Sequence, residues 1–224
     1  MSAERPLRSA PRPSLRRMPM YLRCLRALQK TSVEWVSCTY LAEVLQMDPT
    51  LVRKDLALTG VVGKPKVGFQ LSGLIAAMEH FIGWDNLEDA FLVGVGNLGS
   101  ALLGYEGFGQ HGLNIVAGFD VDAAKVGSEI QGRQILHVDK LPGLAQRMHI
   151  GIGIITVGVR AAQGVADLMV SGGIRAIWNF APMRLEVPAG MIVENEDLAG
   201  TLAVLSRRLA GLSVDLPVVE PKAE

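Results

Sequence analysis

The sequence predicts an α/β chain in two parts: a small helical module, then a doubly wound parallel sheet. Three observations predict it. Between Ala90 and Asp120 a short apolar run, a G-x-G-x-x-G turn, a helical stretch and a second apolar run ending in an acid follow in order. Beyond Asp120, strand-like and helix-like stretches alternate, as crossover connections in a parallel sheet require. Charge divides the same way. The whole chain carries 22 Lys+Arg and 22 Asp+Glu, yet 12 of the basic residues and only 5 of the acids lie at or before Gln70. A basic front on an acidic remainder suggests a polyanion-binding module joined to something else.

Bulk properties narrow the class. At 49% hydrophobic residues the chain can fill a sizeable core. No apolar run of ~18 or more residues escapes interruption by glycine turns, so no membrane span is expected. The first residues lack the apolar core of a signal peptide, so a cytoplasmic protein is expected. Cys24 and Cys38 are the only cysteines. They read as reduced thiols, and two cysteines alone cannot complete a zinc site.

In chain order, Met1 to Arg17 carries Arg5, Arg8, Arg12, Arg16 and Arg17 among three prolines, which reads as a mobile basic arm over 1–17. A domain over 18–83 follows. From Pro19 to Lys30, Leu22, Leu25 and Leu28 alternate with Arg23, Arg26 and Lys30, an amphipathic helix. Ser37 or Cys38 starts a short second helix with Leu41, Val44 and Leu45 inward. Asp48-Pro49 opens a third helix, running to about Leu58, with an acid at the cap and proline in the first turn. Its Leu51, Val52 and Leu56 face a core. Thr50, Arg53, Lys54 and Ala57 share the other face. Two short helices, the second presenting small and basic residues, make a helix-turn-helix. Two β-prone runs about Gly63-Lys64-Pro65-Lys66 then make a hairpin with a basic tip, the wing of a winged helix. Ser72 to Ile82 is a fourth amphipathic helix.

The unit over 86–196 opens with the strand Ala90–Val93. Gly94, Gly96 and Gly99 follow, for the tight turn, the approach of a pyrophosphate, and close helix–strand packing. Leu98, Ala101, Leu102 and Tyr105 continue as a helix that Gly112 closes. Leu113 to Phe119 is a second strand, placing Asp120 within reach of an adenosine ribose. Val121 to Gly127 is a loop. Strands are expected at Gln134–His137, Gly151–Thr156, Arg175–Phe180 and Met191–Val193, with a helix over Ala161–Val170. A closing helix, Leu198 to Leu209 within a segment 197–212, is capped by Glu196 or Asp197. The whole is a Rossmann-type dinucleotide-binding unit.

Catalytic equipment is missing. No substrate domain is expected beyond the nucleotide unit. None of Tyr21, Tyr40 or Tyr105 has a lysine four positions on, and His80, His111, His137 and His149 are scattered without metal-ligand spacing. A nucleotide site joined to a DNA reader is more economically a sensor than an enzyme.

The stretches VRKDL (Val52–Leu56), GVGNLGSAL (Gly94–Leu102), Tyr105, GFDVDAAKVG (Gly118–Gly127), AAQGVADLMVSGGIRAIWNFAP (Ala161–Pro182) and VENEDL (Val193–Leu198) resemble, in order, the Rex family of redox-sensing transcriptional repressors. The resemblance covers about Leu15 to Leu209. It implies a homodimer with an N-terminal winged helix, a C-terminal Rossmann domain and a last helix exchanged between subunits. It implies binding to inverted-repeat operator DNA when NADH is scarce and release when NADH binds, with NADH and NAD as cofactors. The residues expected at the cofactor are Gly94, Val95, Gly96, Asn97, Leu98, Gly99, Tyr105, Asp120, Val121, Lys125, Thr156, Val157, Gly158 and Leu198. Those expected at DNA are Ser37, Thr50, Arg53, Lys54, Lys64 and Lys66. Arg23, Tyr105 and Asp197 match family positions suited to a switch, in which Asp197 pairs with Arg23 in one state and with Tyr105 in the other.

The sequence departs from the family pattern in three places. The wing reads Lys64-Pro65-Lys66-Val67-Gly68-Phe69 where the family has K-R-G-V-G-Y. Thr156-Val157-Gly158 stands where it has T-V-P, and Ala57-Leu58-Thr59 where it has Ser-Tyr-Phe. Two other readings stay open: an NAD-dependent oxidoreductase, and a DNA-binding regulator sensing coenzyme A or another adenine nucleotide.

Overall fold

The structure, a computed structural model, describes residues 10–86 and 88–212. The chain forms two compact units. Of the described residues, one unit holds those up to Asn86 together with Glu106–Leu113, and the other holds Glu88–Tyr105 and those from Asn114 onward.

The first unit is built on helix α1 (Arg12–Gln29), which buries Met18, Tyr21, Leu22 and Leu25. Burying such a side chain is worth about 1.5–3 kcal/mol. Propensity differences among ordinary residues stay below about 0.7 kcal/mol, so this stripe decides which face turns inward. The helix takes in Arg12, Arg16 and Arg17, so the expected basic arm does not extend to Arg17. Pro13 lies in the first turn of α1, where a missing N–H costs nothing, and the helix continues through Pro19. Ser14 is buried, and Arg5 and Arg8 lie outside the described residues.

Strand β1 (Trp35–Val36), helix α2 (Cys38–Leu45), helix α3 (Pro49–Leu58), strand β2 (Phe69–Gln70) and helix α4 (Leu71–Ile82) complete this unit. The wing differs from the expected hairpin. Phe69 and Gln70 pair antiparallel with Val36 and Trp35, not with the run at Val61-Val62. The tip closes on a bridge between Lys64 and Gly68. Val44, expected inward on α2, is exposed, and Ala42 takes its place beside Leu41.

The second unit carries a seven-stranded sheet. Its strands are β3 (Glu88–Val93), β4 (Leu113–Asp120), β5 (Glu129–Ile130), β6 (Arg133–His137), β7 (Ile152–Ile155), β8 (Ala176–Asn179) and β9 (Ile192–Asn195), in the order β5-β6-β4-β3-β7-β8-β9. Strand β5 pairs antiparallel with β6 at the edge. Strands β7, β8 and β9 run parallel to β3 on one side, and β6 runs parallel to β4 on the other. The order reverses between β3 and β4, the switch point where ligands of doubly wound sheets bind.

Helices α5 (Asn97–Leu103), α6 (Leu141–Met148), α7 (Val159–Ser171) and α8 (Leu198–Leu212) complete the unit. Helix α7 turns Ala162, Val165, Ala166 and Met169 into the core. Helix α5 ends at Leu103 rather than continuing to Gly112. A 3-10 helix over Glu106–His111 follows it and clusters with the first unit.

Candidate cofactor site and nucleic-acid interface

The glycine turn sits between the C-terminal end of β3 and the start of α5. Gly94 adopts φ +100°, and a Cβ there would lie 2.6 Å from Val157 Cγ1. A Cβ on Gly99 would run into the Gly94 carbonyl. On Gly96 it would meet nothing within 4 Å, so the backbone is open where a phosphate would approach. Gly94 and Gly99 thus serve the tight turn and the close packing that the spacing suggests.

Two side chains lock this turn. The Thr156 hydroxyl donates to the carbonyls of Val93 and Gly94 at 3.0 and 2.8 Å. Asp120, at the end of β4, accepts the Val95 N–H on Oδ2 at 2.9 Å and the N–H groups of Val121 and Asp122 on Oδ1 at 2.8 and 3.0 Å. Lys125 Nζ stands 3.1 Å from Oδ2. Partial burial pushes this carboxyl up, but the hydrogen bonds from Asp122, Lys125 and Val95 outweigh it and hold it below the usual range.

The other expected cofactor residues also lie in the second unit. Asn97 and Leu98 are exposed in the first turn of α5, and Val121 is exposed beyond β4. Gly158 precedes α7 at φ −67°, with no side-chain cap. Tyr105 is exposed two residues past α5, and Leu198 is exposed at the start of α8. Asp197 accepts the Gly200 N–H at 2.7 Å and caps that helix. Arg23, in the first unit, is exposed on α1 and lines a groove of about 480 Å³ with Cys24, Tyr40 and Val44.

Also in the first unit, Ser37 caps α2 by accepting the Tyr40 N–H at 3.0 Å. Asp48 caps α3 by accepting from Thr50 and Leu51, and those two N–H groups hold its carboxyl below the usual range. With Val52 and Leu56 buried, Thr50, Arg53, Lys54 and Ala57 all face out. Arg53 lies beside Cys38: burial pushes that thiol up, and the guanidinium pulls it partly back. At the wing, Lys64 Nζ stands 4.6 Å from the Trp35 ring centroid, a cation–π contact, while Lys66 is exposed at the tip with φ +62°.

Sequence reasoning missed what holds the α3 face in register. Asp55, 2% exposed, accepts Arg17 Nε and Nη2 at 2.6 and 2.8 Å and the Tyr21 hydroxyl at 2.7 Å. Burial pushes the Asp55 carboxyl up, and Arg17 and Tyr21 more than reverse it. The signal was an acid in the apolar register of α3, between Val52 and Leu56.

Comparison with known proteins follows this division. A family model described as "CoA binding domain" matches residues 85–183, and one described as "Putative DNA-binding protein N-terminus" matches residues 9–57. A protein of Treponema denticola named redox-sensing transcriptional repressor Rex is 44% identical over 193 residues, 86% of this chain and 92% of that protein. A crystal structure of RSP with β-NAD+ and operator DNA superposes with a TM-score of 0.86 at 32% identity, over 92% of this chain and 95% of that one. RSP in complex with β-NADH gives 0.81 at 31% identity, over 92% and 96%.

Proposed function

The chain belongs to the Rex family of redox-sensing transcriptional repressors, and we propose that it binds operator DNA when NADH is scarce and leaves it when NADH binds. The observation that carries this reading is a dinucleotide turn, locked by Asp120 and Thr156, in the same chain as an outward Thr50-Arg53-Lys54 helix face. The role is regulation, not catalysis.

The pyrophosphate of NADH or NAD lies on the turn at Gly96 and Asn97, with the adenosine ribose toward Asp120. The nicotinamide lies toward Thr156-Val157-Gly158, Tyr105 and Leu198. On DNA, Arg53 and Lys54 enter the major groove, Thr50 and the Ser37 end of α2 meet the backbone, and Lys64 and Lys66 add salt-dependent attraction. The protein acts as a homodimer on an inverted repeat. Helix α8 leaves Leu198, Leu202 and Leu205 exposed along one stripe, which supports its exchange with a second copy. Asp197 pairs with Arg23 in one state and with Tyr105 in the other, so the cofactor biases the winged domains. Among the described residues no helix is long and apolar enough to cross a membrane, and the reading places the protein in the cytoplasm with its DNA.

The match to a CoA binding domain favours a second reading, in which the same turn takes another adenine nucleotide. Fluorescence anisotropy of the protein on labelled operator DNA separates the two. Release by NADH and not by coenzyme A supports the NADH sensor; release by coenzyme A alone supports the other.

A further inference from the structure

The segment between α5 and β4 belongs by sequence to the dinucleotide unit, yet Glu106–Leu113 clusters with the DNA-binding unit. Three contacts hold it there. The His111 ring packs on the Trp84 indole, centroids 4.1 Å apart. Arg26, on α1, donates to Glu79 at 2.8 Å and to the Gln110 carbonyl at 3.4 Å. Gly112 adopts φ +72°, where a Cβ would lie 2.5 Å from the Asn86 carbonyl, so only glycine lets the chain pass this close. Trp84 in turn packs on the winged-helix core, and its main-chain N–H donates to the Glu79 carbonyl at 2.8 Å. Upstream, only Gly104 and Tyr105 separate this segment from α5, whose other end carries the glycine turn.

We propose that Glu106–Gly112 is a coupling strap, with Arg26, Trp84 and His111 as positioning residues, through which occupancy of the cofactor turn reaches the DNA-binding unit by the chain itself. A displacement of α5 or Tyr105 on binding NADH passes along two residues into a 3-10 turn clamped on that unit. Short 3-10 pieces commonly serve as connectors between elements. The route differs from the Asp197–Arg23 switch in that it needs neither α8 nor an Asp197–Arg23 pair, although Tyr105 belongs to both. The proposal rests on the NADH-sensor reading.

The test measures coupling rather than either affinity alone. For the unaltered protein and for His111→Ala and Gly112→Ala, NADH affinity is determined by calorimetry. Operator affinity is determined without cofactor and at saturating NADH. Removal of the strap contact lowers the ratio of the two operator affinities by about tenfold, while NADH still saturates the variants. An unchanged ratio in both variants overturns the strap. In the unaltered protein, hydrogen exchange at the amides of 106–112 changes on adding NADH; identical exchange overturns the strap even if a variant fails to fold. An unaltered protein that NADH does not release from DNA defeats the sensor reading itself, and is recognised as such because it precedes any substitution.

Discussion

Asp120 accepts the main-chain N–H of Val95 at 2.9 Å, joining the end of β4 to the glycine turn 25 residues earlier. The same carboxylate that would read the ribose therefore also holds the turn in shape. Asp120→Ala removes both roles and leaves the partly buried Val95 N–H short of an acceptor, a loss of about 1–3 kcal/mol. Calorimetric titration should show NADH binding weakened by roughly 10- to 100-fold.

Cofactor choice follows from charge. A carboxylate repels a 2′-phosphate, and Lys125, 3.1 Å from Asp120, softens that repulsion. The unaltered protein should prefer NADH to NADPH, and Lys125→Ala should widen the gap. Equal affinities of the unaltered protein for the two would remove Asp120 from this role.

DNA contact should divide between specificity and attraction. Arg53→Ala should cost about 1–3 kcal/mol on the operator and little on random duplex. Lys66→Ala should weaken both and lower the salt slope by about 1. Lys64, drawn toward Trp35, should matter less than Lys66. Binding measured on operator and random DNA at several salt concentrations decides the matter: an Arg53→Ala protein losing only non-specific affinity contradicts the assignment.

The Asp55 cluster makes the first unit acid-sensitive. Its carboxyl is held below its unfolded value, so its stabilisation is present above the ordinary carboxylate range and is lost as pH falls through the folded value. Arg17→Ala leaves Asp55 buried with one partner fewer and should cost about 3 kcal/mol. In urea unfolding, the stability difference between the unaltered protein and Asp55→Asn should shrink as pH drops below about 4. A difference that stays constant from neutral pH to acid would show that Asp55 is not the titrating group.

The sequence was legible where the chemistry depends on close neighbours. The glycine spacing, the acid ending β4 and the Asp48-Pro49 helix start each took the expected form. Long-range pairing was not legible. Arg17 read as part of a tail because Asp55 lies 38 residues away. Strand β1 has two residues, too few for a period, so its pairing with β2 gave no signal. Helix α6 went unread because Leu141-Pro142-Gly143 resembles a turn, although proline in a first helical turn is compatible with a helix. The docking of Glu106–Leu113 on the first unit depends on Trp84 and Arg26, which no local pattern links to His111 and Gln110.

Gly158 stands where the family pattern has proline, at φ −67°, which proline itself would fix, with nothing within 4 Å of its Cβ position. Gly158→Pro should raise stability by about 0.4–1 kcal/mol by restricting the unfolded chain. A lower melting temperature would show that the N–H of residue 158 or the conformation of Val157 forbids it.

If the protein is an NADH sensor, the NADH/NAD ratio sets its occupancy of operator DNA. The most direct measurement holds the total nicotinamide pool constant, varies the ratio of NADH to NAD, and follows anisotropy of labelled inverted-repeat operator DNA with the full chain. The protein is expected to stay bound in NAD alone and to leave progressively as NADH replaces it. Operator binding that is indifferent to the ratio, while both cofactors still bind the protein, would contradict this.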